Sequence, residues 1–106
     1  MDALYIPTDN TASSNAAIID GVASEKKIPI IAGEAGICEG CGIATLSISY
    51  EELGRITGEM AYEILVNGKN PGDMEIKYAS APTKQYVEAR VKALGIEVPE
   101  GYEVLK

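Results

Sequence analysis

The chain has 106 residues and a mass of 11.2 kDa, room for one small domain or one lobe of a larger protein and too little for a two-domain enzyme. Its 46% hydrophobic and 24% charged residues are those of a folded domain, and the lack of any His excludes histidine triads and His-ligated zinc. Sixteen acidic against nine basic side chains give a net charge of -7, which repels a phosphate backbone, so nucleic acid is not an expected partner.

Leu4-Tyr5-Ile6 is a short apolar run closed by Pro7, followed by polar residues from Thr8 to Ser14 of the kind that cap helices. This predicts a strand, a loop and then a helix, whose apolar positions Ala12, Ala16, Ile19 and Ala23 recur at helical spacing, with Ile18 and Val22 beside them. Ile28 to Ala32 is a β-branched run that predicts a second strand buried on both faces, with its Pro at the strand start. A glycine-rich loop is expected from Gly33 to Gly42, then a third strand over Ile43 to Ile48. Ser49-Tyr50-Glu51-Glu52 has the capping-box spacing, and the stripe Leu53, Ile56, Met60 and Ile64 predicts a helix that Asn67-Gly68 stops. Met74 to Ala79 alternates weakly as a fourth strand, Tyr86 to Leu94 has helical spacing, and Gly95 suits a left-handed cap. Residues 97 to 106 read as a tail.

Strands alternating with helices imply an α/β fold, three layers deep, with a mostly parallel sheet and helices on both faces. No stretch approaches the roughly 18 apolar residues of a membrane span, and no basic-then-apolar leader is visible. The abrupt entry into a strand after Met1 suggests a fragment.

In such a sheet, ligands bind beyond the carboxyl ends of the strands, where helix N-termini converge. Three segments occupy that edge: Thr8, Asp9, Asn10 and Thr11 after the first strand, Gly33 and Glu34 after the second, and Ser49 and Tyr50 after the third. Their short donors and acids suit a small zwitterion. Each also has a plain structural reading: Thr8 to Thr11 as turn and cap, Ser49 as cap, Glu34 as a solvated acid, Tyr50 as a packing residue. Cys38-Glu39-Gly40-Cys41 has C-x-x-C spacing, but two further zinc ligands are lacking, and the flanking glycines suggest a loop, where a redox pair usually opens a helix. A loop disulfide and two unreactive thiols remain open.

Taken in order, Leu4-Tyr5-Ile6-Pro7-Thr8-Asp9-Asn10, Ile28-Pro29-Ile30, Gly33-Glu34, Gly42-Ile43-Ala44-Thr45, Tyr50, Leu53-Gly54, Thr57-Gly58 and Ala93-Leu94-Gly95-Ile96 with Pro99 resemble the C-terminal part of the substrate-binding proteins of ATP-binding-cassette (ABC) transporters, of the tryptophan and amino-acid type. The resemblance implies one lobe, residues 1 to 106, of a type I periplasmic-binding fold, with 83 to 106 a C-terminal helix and tail that pack on a missing N-terminal lobe. It implies a non-enzymatic role without cofactor or metal: an extracytoplasmic, lipoprotein-type binder that delivers an amino-acid-like solute to a permease. By the same analogy Asp9 takes an ammonium group, Asn10 and Thr11 hold a carboxylate, and Glu34 and Tyr50 line the cleft. Ser49 departs from the family, which usually carries an acid there. Without its other lobe, the fragment is expected to expose apolar surface and self-associate. Two other functions compete: the effector-sensing lobe of a transcription regulator, and a small thiol oxidoreductase using Cys38 and Cys41.

Overall fold

β-Branched and apolar runs separated by polar corners give short strands joined by helices. The computed structural model describes Met1–Lys106, which divide into two units, Met1–Ser47 with Thr83–Lys106, and Ile48–Pro82.

The first unit is built on a five-stranded sheet, Leu4–Ile6 (β1), Ile30–Ala32 (β2), Ala44–Ser47 (β3), Thr83–Tyr86 (β4) and Glu103–Val104 (β5), in that spatial order. β1, β2 and β3 run parallel, β4 is antiparallel to β3, and β5 is parallel to β4, so the sheet is mixed. The α/β class expected from the sequence is the one observed. Helices Asn10–Ser14 (α1), Ala16–Glu25 (α2), Ala35–Cys41 (α3) and Glu88–Leu94 (α5) complete this unit.

Ile6, Ile30 and Ala32 from the strands meet Ala16, Ala23, Ile37, Cys38 and Cys41 from the helices in one buried cluster, the apolar core that stabilises the unit. The strand residues between them face the other way. Tyr5, Ile31, Ala44, Tyr86 and Val104 are register partners in a single row across all five strands, and Ile31 is 40% exposed. The expectation that the second strand is buried on both faces is therefore corrected. Its apolar run reflects one buried face and one exposed apolar face, which a continuous hydrophobic stretch cannot distinguish.

Three further expectations change. The helix expected as one piece from Ala12 is divided at Asn15, whose side-chain amide donates to the Thr11 carbonyl at 2.8 Å and so competes with continuous helical bonding. The Gly33–Gly42 loop is largely helix α3, because Glu34 caps its first turn and because the core accepts Ile37, Cys38 and Cys41. The predicted strand over Met74 to Ala79 is absent: Ile76 and Tyr78 stand exposed with no partner strand, and the ladder position beside β3 goes to Thr83–Tyr86, at the start of the segment expected as helix and tail. The segment 83 to 106 thus contributes β4 and β5 besides the expected helix. That helix ends as predicted, at Gly95 with φ +65°, where the Ile96 amide donates to the Val91 carbonyl at 3.1 Å.

The second unit is led by the 16-residue helix Tyr50–Leu65 (α4). Ser49 Oγ accepts from the Glu52 amide at 3.1 Å, half of the expected capping box. The other half is diverted: Glu52 Oε2 accepts from the Ser80 hydroxyl at 2.8 Å and ties the irregular 74–82 segment to the first turn of the helix. Gly68, at φ +68°, follows the helix in the left-handed conformation that its stop signal predicts.

Candidate functional site

β1 runs into Pro7-Thr8-Asp9, and Asp9 is the N-cap of α1: its Oδ1 accepts from the Ala12 amide at 2.7 Å. Its second carboxylate oxygen accepts no hydrogen bond from the chain, and Asp9 is exposed. Thr8, Asn10 and Thr11 beside it are exposed too, and their side chains make no hydrogen bond within the chain. This corner therefore presents one unsatisfied acidic oxygen, two hydroxyls and an amide to solvent.

β2 runs into Gly33-Glu34. The Gly33 amide donates to the Ile6 carbonyl at 2.8 Å, which extends the β1–β2 pairing into the corner. A Cβ at position 33 would stand 3.1 Å from the Thr8 nitrogen and 3.2 Å from Pro7, so only glycine lets the two corners approach this closely without displacing backbone. Thr8–Thr11 and Gly33–Glu34 are thereby brought together at the carboxyl ends of two parallel strands. Glu34 is half-buried and spends both carboxylate oxygens on α3: Oε2 accepts from the Gly36 amide at 2.8 Å and Oε1 from the Ile37 amide. As a charged cap it also opposes the positive end of the helix.

Ser49 and Tyr50 belong to the second unit. There Ser49 acts as the cap of α4, and Tyr50 is 61% exposed at the first helical position. Asp9, Glu34 and Ser49 thus share one local role, each a side-chain N-cap after a strand that the sequence already marked. A cavity of about 680 Å³ also lies in the second unit, among Glu59, Met60, Tyr62, Glu63 and Lys69, and includes none of the predicted residues.

The cysteines are placed differently from the loop expected for them. Both are free and buried on α3; Cys41 Sγ donates to the Ile37 carbonyl at 3.4 Å. Burial pushes the Cys38 thiol up to about 11 and raises Cys41 as well, against a smaller lowering effect of the Arg90 guanidinium. A thiol oxidoreductase requires an accessible thiolate of low pKa, the opposite condition. No three acidic or cysteine side chains stand together as a metal site.

Arg90 is the residue that sequence reasoning missed. Its Nε donates to Asp20 Oδ1 at 2.9 Å, while Nη1 and Nη2 donate to the Glu39 and Gly40 carbonyls, both at 2.8 Å. The guanidinium holds the Asp20 carboxyl below its usual range. Nothing in the local pattern of α5 singles it out, because its partners lie 50 to 70 residues away in the chain.

Comparison with known proteins agrees with this architecture. The family model for ABC transporter substrate-binding proteins matches residues 1–106. A tyrosine-binding protein of Clostridioides difficile is 40% identical over 97 residues, which make up 92% of this chain and 28% of the relative. Among solved structures, the ligand-free, open form of a substrate-binding protein with adhesive properties from Clostridium difficile superposes at TM-score 0.79 with 42% identity, over all of this chain and 36% of that one. The ABC domain from Streptococcus pneumonia in complex with L-Trp superposes at 0.81 with 28% identity, over 98% of this chain and 37% of that one. The chain thus spans about a third of the length of these relatives. With a family match from end to end and a lobe of the same fold, this chain belongs to the ABC transporter substrate-binding proteins.

Proposed function

We propose that the chain forms one side of a cleft in which an extracytoplasmic binding protein holds an amino acid or related zwitterion for delivery to a permease. The observation that carries this reading is the unsatisfied oxygen of Asp9, exposed next to the Gly33–Glu34 corner. A fixed carboxylate is the natural partner of an ammonium group, and the cap bond to Ala12 holds it in place before any ligand arrives. Asn10 and Thr11, with free side chains, are assigned to the ligand's carboxylate, and Thr8, Gly33 and Glu34 to the wall around it. The tyrosine-binding relative and the L-Trp complex make aromatic amino acids the first ligands to try. The opposing wall is assigned to a second lobe, whose closure excludes water and strengthens each polar contact.

Binding without chemistry is part of the proposal, and the buried, high-pKa thiols support it. A thermal-shift screen of the full-length polypeptide against the twenty amino acids tests the ligand class. A ligand present at a hundred times its dissociation constant should add about 2.7 kcal/mol to stability. A screen in which no amino acid raises the melting temperature would overturn the assignment.

A further inference from the structure

Helix α3 should be a poor helix. It has seven residues, two of them glycines, and isolated helices of that length do not persist in water. Its C-terminus also lacks the usual left-handed closure, because Gly42 is extended at φ -86°, ψ 160°. The Cys38 carbonyl accepts from the Gly42 amide at 2.8 Å, but the Glu39 and Gly40 carbonyls would be left without donors were it not for Arg90. Its guanidinium donates to Glu39 O and Gly40 O at 2.8 Å and reaches Cys38 O and Gly42 O at 3.5 Å. The Asp20 carboxylate orients the fork from the far side. One planar cation thus gathers the orphan end of the helix, where positive charge is also favoured by the helix dipole.

At the other end, Glu34 accepts from Gly36 and Ile37. The helix is therefore clamped between a carboxylate at its start and a guanidinium at its finish. Gly40 fixes its height: a Cβ there would fall 2.6 Å from the Ala16 Cβ, so the turn held by Arg90 lies directly against α2. Seven residues span only about 10 Å, so a shift at one end is passed to the other by a rigid rod.

We infer that Arg90 is a positioning residue for ligand binding, acting through α3 to hold Glu34 and the Gly33 corner where the rim requires them. The inference rests on the proposed role of that rim and adds to it a residue that does not touch ligand. Arg90→Met, Arg90→Lys and Glu34→Gln in the full-length polypeptide test it, with L-tyrosine as probe. Affinity is measured by calorimetry well below each melting temperature, and amide exchange is followed at Gly36 and Ile37. Arg90→Met should speed exchange at both amides and weaken L-tyrosine binding about tenfold, and Arg90→Lys should do the same by a smaller factor, since an ammonium keeps the charge but has one nitrogen where the guanidinium places three against Asp20 and the two carbonyls.

A merely structural Arg90 would lower the melting temperature and leave both readouts of the folded protein unchanged, which would overturn the inference. If Arg90→Met does not fold, Arg90→Lys carries the same test. Weakened binding in Glu34→Gln beside normal binding in the Arg90 variants removes the positioning role alone. Normal binding in Glu34→Gln removes Glu34 from the rim and the positioning role with it.

Discussion

Helices α3 and α4 are opposites. α4 has sixteen residues, a side-chain cap, a clear apolar stripe and a stop signal, yet none of its residues is fully buried. α3 has seven residues and two glycines, yet supplies Ile37, Cys38 and Cys41, three of the most deeply buried side chains of the molecule. Local signals decide whether a helix can be recognised; packing decides what it contributes to stability. The first can be strong where the second is weak.

The contrast is sharpest in cavity-forming substitutions. Ile37→Ala should cost about 2–5 kcal/mol in urea unfolding, because Ile37 is 1% exposed and its surroundings cannot collapse freely. Ile56→Ala, half-buried on α4, should cost on the order of 1 kcal/mol. Equal losses would break the comparison.

Glycine substitutions should differ in sign. Gly40→Ala drives a methyl to 2.6 Å from Ala16 and should destabilise by about 1–3 kcal/mol. At Gly58 of α4 an added Cβ meets nothing within 4 Å, so Gly58→Ala should stabilise by about 0.5–1 kcal/mol through helix propensity. A stabilising Gly40→Ala would mean that α3 is not packed as described, and a destabilising Gly58→Ala that α4 is not open there.

A smaller effect follows from the pair that steadies α3. The Asp20 carboxyl is lowered first by its hydrogen bond to Arg90, with desolvation opposing. A carboxyl with a depressed folded-state pKa binds fewer protons in the native than in the unfolded state. Its stabilisation is therefore complete above the ordinary Asp range near 4 and fades as pH falls from there through the lower folded value. Asp20→Asn should flatten this part of the stability profile between neutral and acid pH; an unchanged slope would show that the pair adds nothing there.

The same division explains what the sequence could reveal. β1, β2, the caps Asp9 and Ser49, α4 and the Gly95 closure all rest on neighbours within a few residues, and each was legible. α3 was hidden by its glycines, because the bonds that rescue it come from an arginine 50 residues on. β4 and β5 were hidden because Thr83-Lys84-Gln85-Tyr86 and Glu103-Val104 have almost no apolar alternation; β3 supplies the ladder that orders the first, and β4 orders the second. Of the candidate site, the residue types at two corners were legible. Their common edge was legible too, from the parallel sheet, but the closeness of their approach was not, since it depends on Gly33 lying against the Pro7–Thr8 backbone. The Glu34 cap likewise depends on a helix that the sequence disguised as a loop.

The direct test of the account is calorimetric titration of L-tyrosine into the full-length polypeptide and its Asp9→Asn variant. Asn caps a helix about as well as Asp, so the substitution removes the charge while sparing the fold. The account predicts an unchanged melting temperature without ligand and affinity weakened about tenfold or more. Equal affinity in the two proteins would contradict the placement of the ammonium group on Asp9, and with it the role assigned to this rim.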